Sequence, residues 1–201
     1  MQSPGEDEQS ASTDGHVGGM LGGMDHADHV SLLREGVTGR VWADLGSGAG
    51  AFTLALADLL GPGAAIHSLD RDGRALAAQE RELRARFPRV ALHVHVADFT
   101  RPLPALPALD GVVMANSLHF VRDKLPVLER IRGHLAPGGR FILVEYDADR
   151  GTLWVPHPLS FVTWRDLSAR AGLVDTRLLR TVPSRFLGLI YAAMSRNGVA
   201  R

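Results

Sequence analysis

An apolar segment, Val41-Trp42-Ala43, runs into an acid, Asp44, and then into a loop with glycine at three alternate positions, Gly46, Gly48 and Gly50. An apolar stretch over 51–57 follows at once. Glycines supply the left-handed backbone conformations that a tight strand-to-helix reversal needs, and they leave room for a ligand to approach the main chain. A helix that begins just after such a loop presents unpaired N–H groups and a partial positive charge to whatever lies over it. Strand, glycine loop and helix in this order form a seat for a nucleotide-type cofactor in a doubly wound α/β sheet.

The remainder of the chain keeps the alternation. Residues 64–70 read as a second strand. Residues 73–87 read as a helix with Leu76, Leu83 and Phe87 on one face, and with Glu80/Arg84 and Glu82/Arg86 paired on the other. Pro88 ends it. Residues 90–96 alternate as a third strand, with His93 and His95 on one partly exposed face and without an expected function. Residues 111–115 form a short apolar run suited to a buried parallel strand. Asp123 is expected to cap a helix carrying Leu125, Leu128, Ile131 and Leu135, with Pro126 tolerated in its first turn. Pro137-Gly138-Gly139 is expected to close that helix and reverse the chain into a fifth strand over 140–145. A last helix over about 160–170 precedes two strands, near 175–182 and 186–194. With no crossover between them, they predict an antiparallel hairpin at the sheet edge. The expected fold class is α/β: a Rossmann-like doubly wound sheet of seven strands, mostly parallel with an antiparallel last strand, binding ligands at the carboxyl ends of its strands.

Asp44 discriminates between cofactors. A pyrophosphate lying over the loop would be repelled by a carboxylate two residues before the first glycine. S-adenosylmethionine carries no phosphate, and its ammonium and sulfonium favour an acid there. The run Asp44-Leu45-Gly46-Ser47-Gly48-Ala49-Gly50 resembles the cofactor loop of class I S-adenosylmethionine-dependent methyltransferases. The turn Pro137-Gly138-Gly139 before strand five is similar to one in the same family. Because Gly46-x-Gly48-x-x-Ala51 also satisfies the relaxed dinucleotide fingerprint, a nicotinamide-type oxidoreductase stays open at this point. So does a non-catalytic protein that binds S-adenosylmethionine.

The resemblance implies roles for individual residues. Gly46, Ser47, Gly48 and Gly50 would shape the methionine end of the site, with Asp44 favouring its ammonium. Asp70, which ends strand two beside Arg71, would hold the ribose hydroxyls. Asp98 would meet the adenine amino group, with Phe99 beside the base. Asn116 opens Asn116-Ser117-Leu118-His119-Phe120, which borders the transferable methyl. Ser117 and Leu118 stand where methylases of base amines have two prolines, so the segment looks more like the small-molecule branch (methyltransferase type 11/25-like), which includes quinone-biosynthesis enzymes. His119 is a candidate general base because its unperturbed pKa lies near operating pH. Trp154, His157 and Phe161 are candidates for a substrate pocket.

Composition narrows the partners. Twenty-two basic and twenty-two acidic residues cancel, which gives no general electrostatic reason to bind nucleic acid or an anionic membrane. The chain has no cysteine, so thiolate chemistry and Cys-based zinc sites are excluded. No window reaches the ~18 consecutive apolar residues of a membrane span, and the start of the chain lacks a signal-peptide layout. The expectation is a cytoplasmic enzyme acting on a small molecule, with a homodimer compatible. Residues 1–19 are expected to form a flexible tail and 20–201 a single domain, whose 20–36 helix folds over the cofactor as a lid. His16, Met20, Met24, Asp25, His26 and His29 cluster near the start. A His26-x-x-His29 pair without a defined third ligand does not make a metal site, and none is expected.

Overall fold

The computed structural model describes residues 24–184 and 187–198. Within them the chain runs α1 (His26–Leu33), β1 (Val41–Leu45), α2 (Ala51–Leu60), β2 (Ala65–Asp70), α3 (Gly73–Arg86), β3 (Ala91–Val96), β4 (Leu109–Ala115), α4 (Leu125–Arg132), β5 (Leu135–Tyr146), α5 (Phe161–Arg170), β6 (Leu173–Pro183) and β7 (Leu189–Asn197). The strands form one seven-stranded sheet in the order β3-β2-β1-β4-β5-β7-β6. The first five are parallel; β7 is antiparallel to β5 and to β6, so the final hairpin inserts its second strand between β5 and the edge.

Alternation within each strand feeds two cores. Trp42, Ile66, Val113 and Ile142 face α1, α2 and α3, where Leu33, Phe52, Leu56 and Leu83 meet them. Ala43, Leu69, Val112 and Phe141 face α4 and α5, where Leu128, Ile131 and Trp164 lie. Each large side chain buried in these layers contributes about 1.5–3 kcal/mol relative to exposure. Trp42 lies flat across Gly111, where a Cβ would sit 2.4 Å from the indole ring. Its Nε1–H donates to the Thr38 carbonyl at 2.7 Å. Asp25 begins α1 with a reciprocal capping box to Asp28, and Asp72 and Ser160 cap α3 and α5 through their side chains.

Three boundaries differ from expectation. The cap of α4 is Lys124, with no side-chain hydrogen bond, and Asp123 lies one residue too early to serve. That helix stops at Gly133, and Leu135 already belongs to β5. Pro137-Gly138-Gly139 therefore does not turn helix into strand. It loops out within β5, because Leu109 pairs with Leu135 while Gly111 pairs with Arg140. Gly138 takes φ 75°, and a Cβ on Gly139 would meet the Ala136 and Leu109 carbonyls at 2.9 Å. The helix-spaced Leu135 and the proline–glycine signal were each compatible with both readings; strand pairing decided between them. The expected 1–19 tail, the first residues of the expected lid helix, His16, Met20 and Phe186 lie outside the described residues. Helix α1 packs against α2, with Val30, Leu32 and Leu33 buried.

Candidate active site

Strand order reverses between β1 and β4, which leaves a cleft at their carboxyl ends. The cleft has a volume of about 560 Å³. The glycine loop forms its floor. The N–H groups of Gly46 and Ser47 both donate to the Leu69 carbonyl, at 2.8 and 3.1 Å, which staples the loop to the end of β2. The three glycines serve different ends. A Cβ on Gly46 would lie 2.6 Å from Ser117 Cβ, and one on Gly50 would lie 2.3 Å from Gln79 Cγ. A Cβ on Gly48 would meet nothing within 4 Å. Gly46 and Gly50 are therefore glycines because the protein packs onto them, whereas Gly48 faces open space on the cleft side.

Asp70 organises this floor before any ligand arrives. Its Oδ2 accepts the Gly48 N–H at 2.8 Å and its Oδ1 accepts the Asp72 N–H at 2.9 Å. Arg71 lines the cleft beside it. On the next strand end, Asp98 Oδ1 accepts the Thr100 N–H at 2.8 Å and the Thr100 hydroxyl at 2.7 Å. These bonds, the hydroxyl's first, hold its carboxyl below the usual range, and the charges of Arg71 and Arg101 add to them. Asp98 is thus at once a turn cap and a wall of the cleft. Phe99 reaches across the loop toward Gly46.

Asp44, Ser47, Gly50 and His119 do not line the cleft. Asp44 is 1% exposed and lies under the loop, where its Oδ2 accepts the Thr53 hydroxyl at 2.6 Å. Burial raises its pKa to about 7, with the Thr53 bond opposing and the Asp70 charge reinforcing. A line of polar groups continues from it: Gln79 Nε2 donates to Thr53 Oγ1, and Ser68 donates to Gln79 Oε1 at 2.8 Å. Ser68 Oγ also lies 2.6 Å from Ser47 Oγ. Thr53, Ser68 and Gln79 are fully buried. Sequence reading missed this network, although Gln79 stands three residues after Leu76 and four before Leu83 on the buried stripe of α3.

The opposite wall is built around the end of β4. Asn116 adopts φ 50°, an uncommon backbone for a residue other than glycine. Its Oδ1 is buried and accepts no hydrogen bond from the described residues. Ser117 Oγ–H donates to the Leu45 carbonyl at 2.9 Å, tying this wall to β1. A single 3₁₀ turn, Leu118–Phe120, then carries His119. His119 is 3% exposed, and its Nδ1 lies 2.9 and 3.1 Å from the two oxygens of Glu145. Glu145, itself fully buried, also accepts the backbone N–H groups of His119 and Tyr146. Its only signal in the sequence is an acid closing an otherwise apolar strand. Next to His119, Phe120 lines the cleft and is 62% exposed.

Of the expected pocket residues, Phe161 packs edge-on to Tyr191 in the core. The His157 N–H donates to the His119 carbonyl at 2.9 Å. Trp154 is 76% exposed at the tip of a turn closed by Thr152 and Val155. The two N-terminal imidazoles that are described engage separate partners: His26 Nε2 is 3.1 Å from Asp58 Oδ2, and His29 packs edge-on to Phe52. Among the described residues no group of three or more His, Cys, Asp or Glu is arranged to hold a metal ion. His93 and His95 have a third companion that the sequence did not suggest. His67 stacks on both, with Nδ1 3.1 Å from His95 Nε2, and burial with the neighbouring imidazoles lowers its pKa to about 4.

Residues 43–141 match the family model described as a methyltransferase domain. No curated protein matches the sequence. Among solved structures, the YcgJ protein of Bacillus subtilis is similar over 87% of this chain and 100% of its own, with 12% identity and a TM-score of 0.68. An S-adenosylmethionine-dependent methyltransferase of Methanosarcina mazei covers 84% of this chain and 97% of its own, at 15% identity and a TM-score of 0.66. Human N-acetylserotonin methyltransferase, solved in complex with S-adenosylmethionine, covers 79% of this chain and 48% of its own, at 23% identity and a TM-score of 0.58. The matched segment runs from β1 into β5 and so contains the loop, Asp70, Asp98 and the β4 wall: this part of the chain is a methyltransferase domain, in a fold shared with S-adenosylmethionine-dependent methyltransferases.

Proposed function

We propose that the protein methylates a small organic acceptor, and that the cleft between loop 46–50 and the β4 wall holds both the cofactor and the acceptor. The observation that carries this reading is the asymmetry of the cleft. One side offers acids and open backbone, with Asp70, Asp98 and Gly48 on its wall; the other offers Asn116, Phe120 and Val121. A volume of about 560 Å³ falls within the ~300–1,000 Å³ of small-molecule sites.

The residues present fit the cofactor. The open space over Gly48 admits its methionine end, and the unpartnered Asn116 Oδ1 offers an acceptor to a cationic donor group. Asp70 would hold the ribose, with Arg71 alongside. Asp98 would accept from the adenine amine through its second oxygen, with Phe99 at the base. Asp44 would act on the ammonium as a buried charge behind Ser47 rather than by contact, and Gly46 and Gly50 would keep the loop in shape. S-adenosylmethionine supplies an electrophilic methyl without further activation. The protein then has to align the acceptor and exclude water. Glu145 accepts at His119 Nδ1, which fixes the tautomer and leaves Nε2 as the basic nitrogen; because His119 is buried beside Phe120 and off the cleft wall, it would serve as a base for an acceptor that reaches past Phe120.

A thermal-shift titration comparing S-adenosylmethionine with NAD tests the cofactor assignment, with stabilisation by the former expected. A metabolite panel read as S-adenosylhomocysteine release tests the acceptor class. Stabilisation by NAD alone, or turnover confined to nucleic acid or protein acceptors, would overturn the reading.

A further inference from the structure

A second cavity, of about 280 Å³, opens between the start of α4 and the side of α5. Arg122, Lys124 and Arg170 line it, together with Asp123, Thr163 and Leu167. Lys124, the only lysine in the chain, is 9% exposed. Its ammonium donates to the Val121 carbonyl at 2.7 Å, which leaves two of its three donors free. Desolvation holds its pKa below the usual lysine range, even with the Glu145 charge acting in the other direction.

Among the described residues, Arg122, Lys124 and Arg170 form no ion pair. The eight-residue helix α4 begins at this cavity with no side-chain cap, so its first N–H groups add partial positive charge. Asp123 is the one acid on the wall. Three cations, one of them buried, thus face a single exposed acid across a concave space, and the positive charge left over favours an anion there.

We propose that this cavity is an oxyanion subsite that binds a phosphate, sulfate or carboxylate group. Guanidinium and ammonium donors are suited to such groups, because charge-assisted hydrogen bonds are the strong ones. The subsite shares a wall with the active site. Val121 lines the cleft, and its carbonyl holds Lys124. Both an anionic tail on the acceptor and a free anion satisfy the chemistry.

Calorimetric titration with inorganic phosphate, at ionic strength held constant with sodium chloride, tests the proposal. Saturable binding is expected. In the double variant Arg122→Ala/Arg170→Ala, whose side chains are exposed, it should weaken about tenfold or more. Asp123→Asn should tighten it. Lys124→Gln should weaken it too, with circular dichroism to check the fold; the double variant decides if that protein does not fold. Phosphate heats no larger than those of matched chloride, or unchanged binding in the double variant, would overturn the proposal. Phenyl phosphate separates the sources. Tighter binding than phosphate, lost in Val121→Ala, marks a ligand reaching in from the cleft, and equal binding marks a free anion. None of these readouts requires methyl transfer, so a failure here is distinct from a failure to bind S-adenosylmethionine.

Discussion

The wall of the cleft made by loop 46–50 and Asp70 differs in kind from the wall made by residues 116–121. The first is local and backbone-based. It consists of glycines at positive φ, main-chain hydrogen bonds to Leu69, and an acid 22 positions from the glycine it clamps. The second depends on side chains and long-range pairing: Ser117 reaches back to Leu45, and His119 is held by Glu145 from a different strand. A backbone site tolerates little variation, which suits a fixed cofactor. A side-chain site can be retuned residue by residue, which suits an acceptor that differs among relatives of the same fold.

The sharpest way to break this division is at His119. His119→Asn should lower kcat by about 10²–10⁴-fold, the usual contribution of a general base, while leaving the S-adenosylmethionine Kd within error. Steady-state kinetics beside calorimetry would check both, and unchanged turnover would remove His119 from the chemistry. Asp70→Ala probes the other wall. Loss of the Gly48 clamp together with a charged acceptor of ~1.5–3 kcal/mol should weaken S-adenosylmethionine by roughly 10- to 100-fold. Turnover at saturating cofactor should fall far less.

Asp44 gives a smaller, pH-dependent signal. Its carboxyl loses its proton only near pH 7. The charge that favours the ammonium is therefore absent well below pH 7, and cofactor affinity should rise with pH up to that point, by up to about tenfold per unit, then level off. Stability runs the opposite way. Between the ordinary 3.8 and about 7 the folded chain keeps a proton that the unfolded chain has released, so stability falls as pH rises through that window. Asp44→Asn should flatten both curves, as seen in calorimetry and in denaturant titration at several pH values. The smallest effect is expected at Trp154. Its exposed ring should make Trp154→Ala change unfolding free energy by no more than about 0.5 kcal/mol. A larger loss would show that the turn is part of the core.

Legibility followed the same division. Gly46, Gly48, Asp70 and Asp98 lie on the cleft at the strand ends where the alternation puts them, whereas Asp44 lies beneath the loop, and the mostly parallel sheet followed from the same alternation. Glu145 could be placed at the edge of the site, but its pairing with His119 could not be read, because an acid near the end of an apolar strand gains a partner 26 residues away only when β4 and β5 pair. Gln79 looked like one polar residue among many on α3 until the loop was laid over it. The Pro-Gly-Gly segment was misread because its conformation is set by the ladder with β4 rather than by its own turn chemistry.

The buried line beneath the loop has a direction. Gln79 Oε1 can only accept, so the single Ser68 proton is committed to it, and the Ser47 hydroxyl must point inward at Ser68. With Asp44 ionised, every donor in the line points the same way, from the loop surface down to the carboxylate. What the half-buried Ser47 oxygen then turns away from Ser68 is lone-pair density, so a charge buried beneath three side chains is displayed at the loop as polarity, with no ion having to leave the interior.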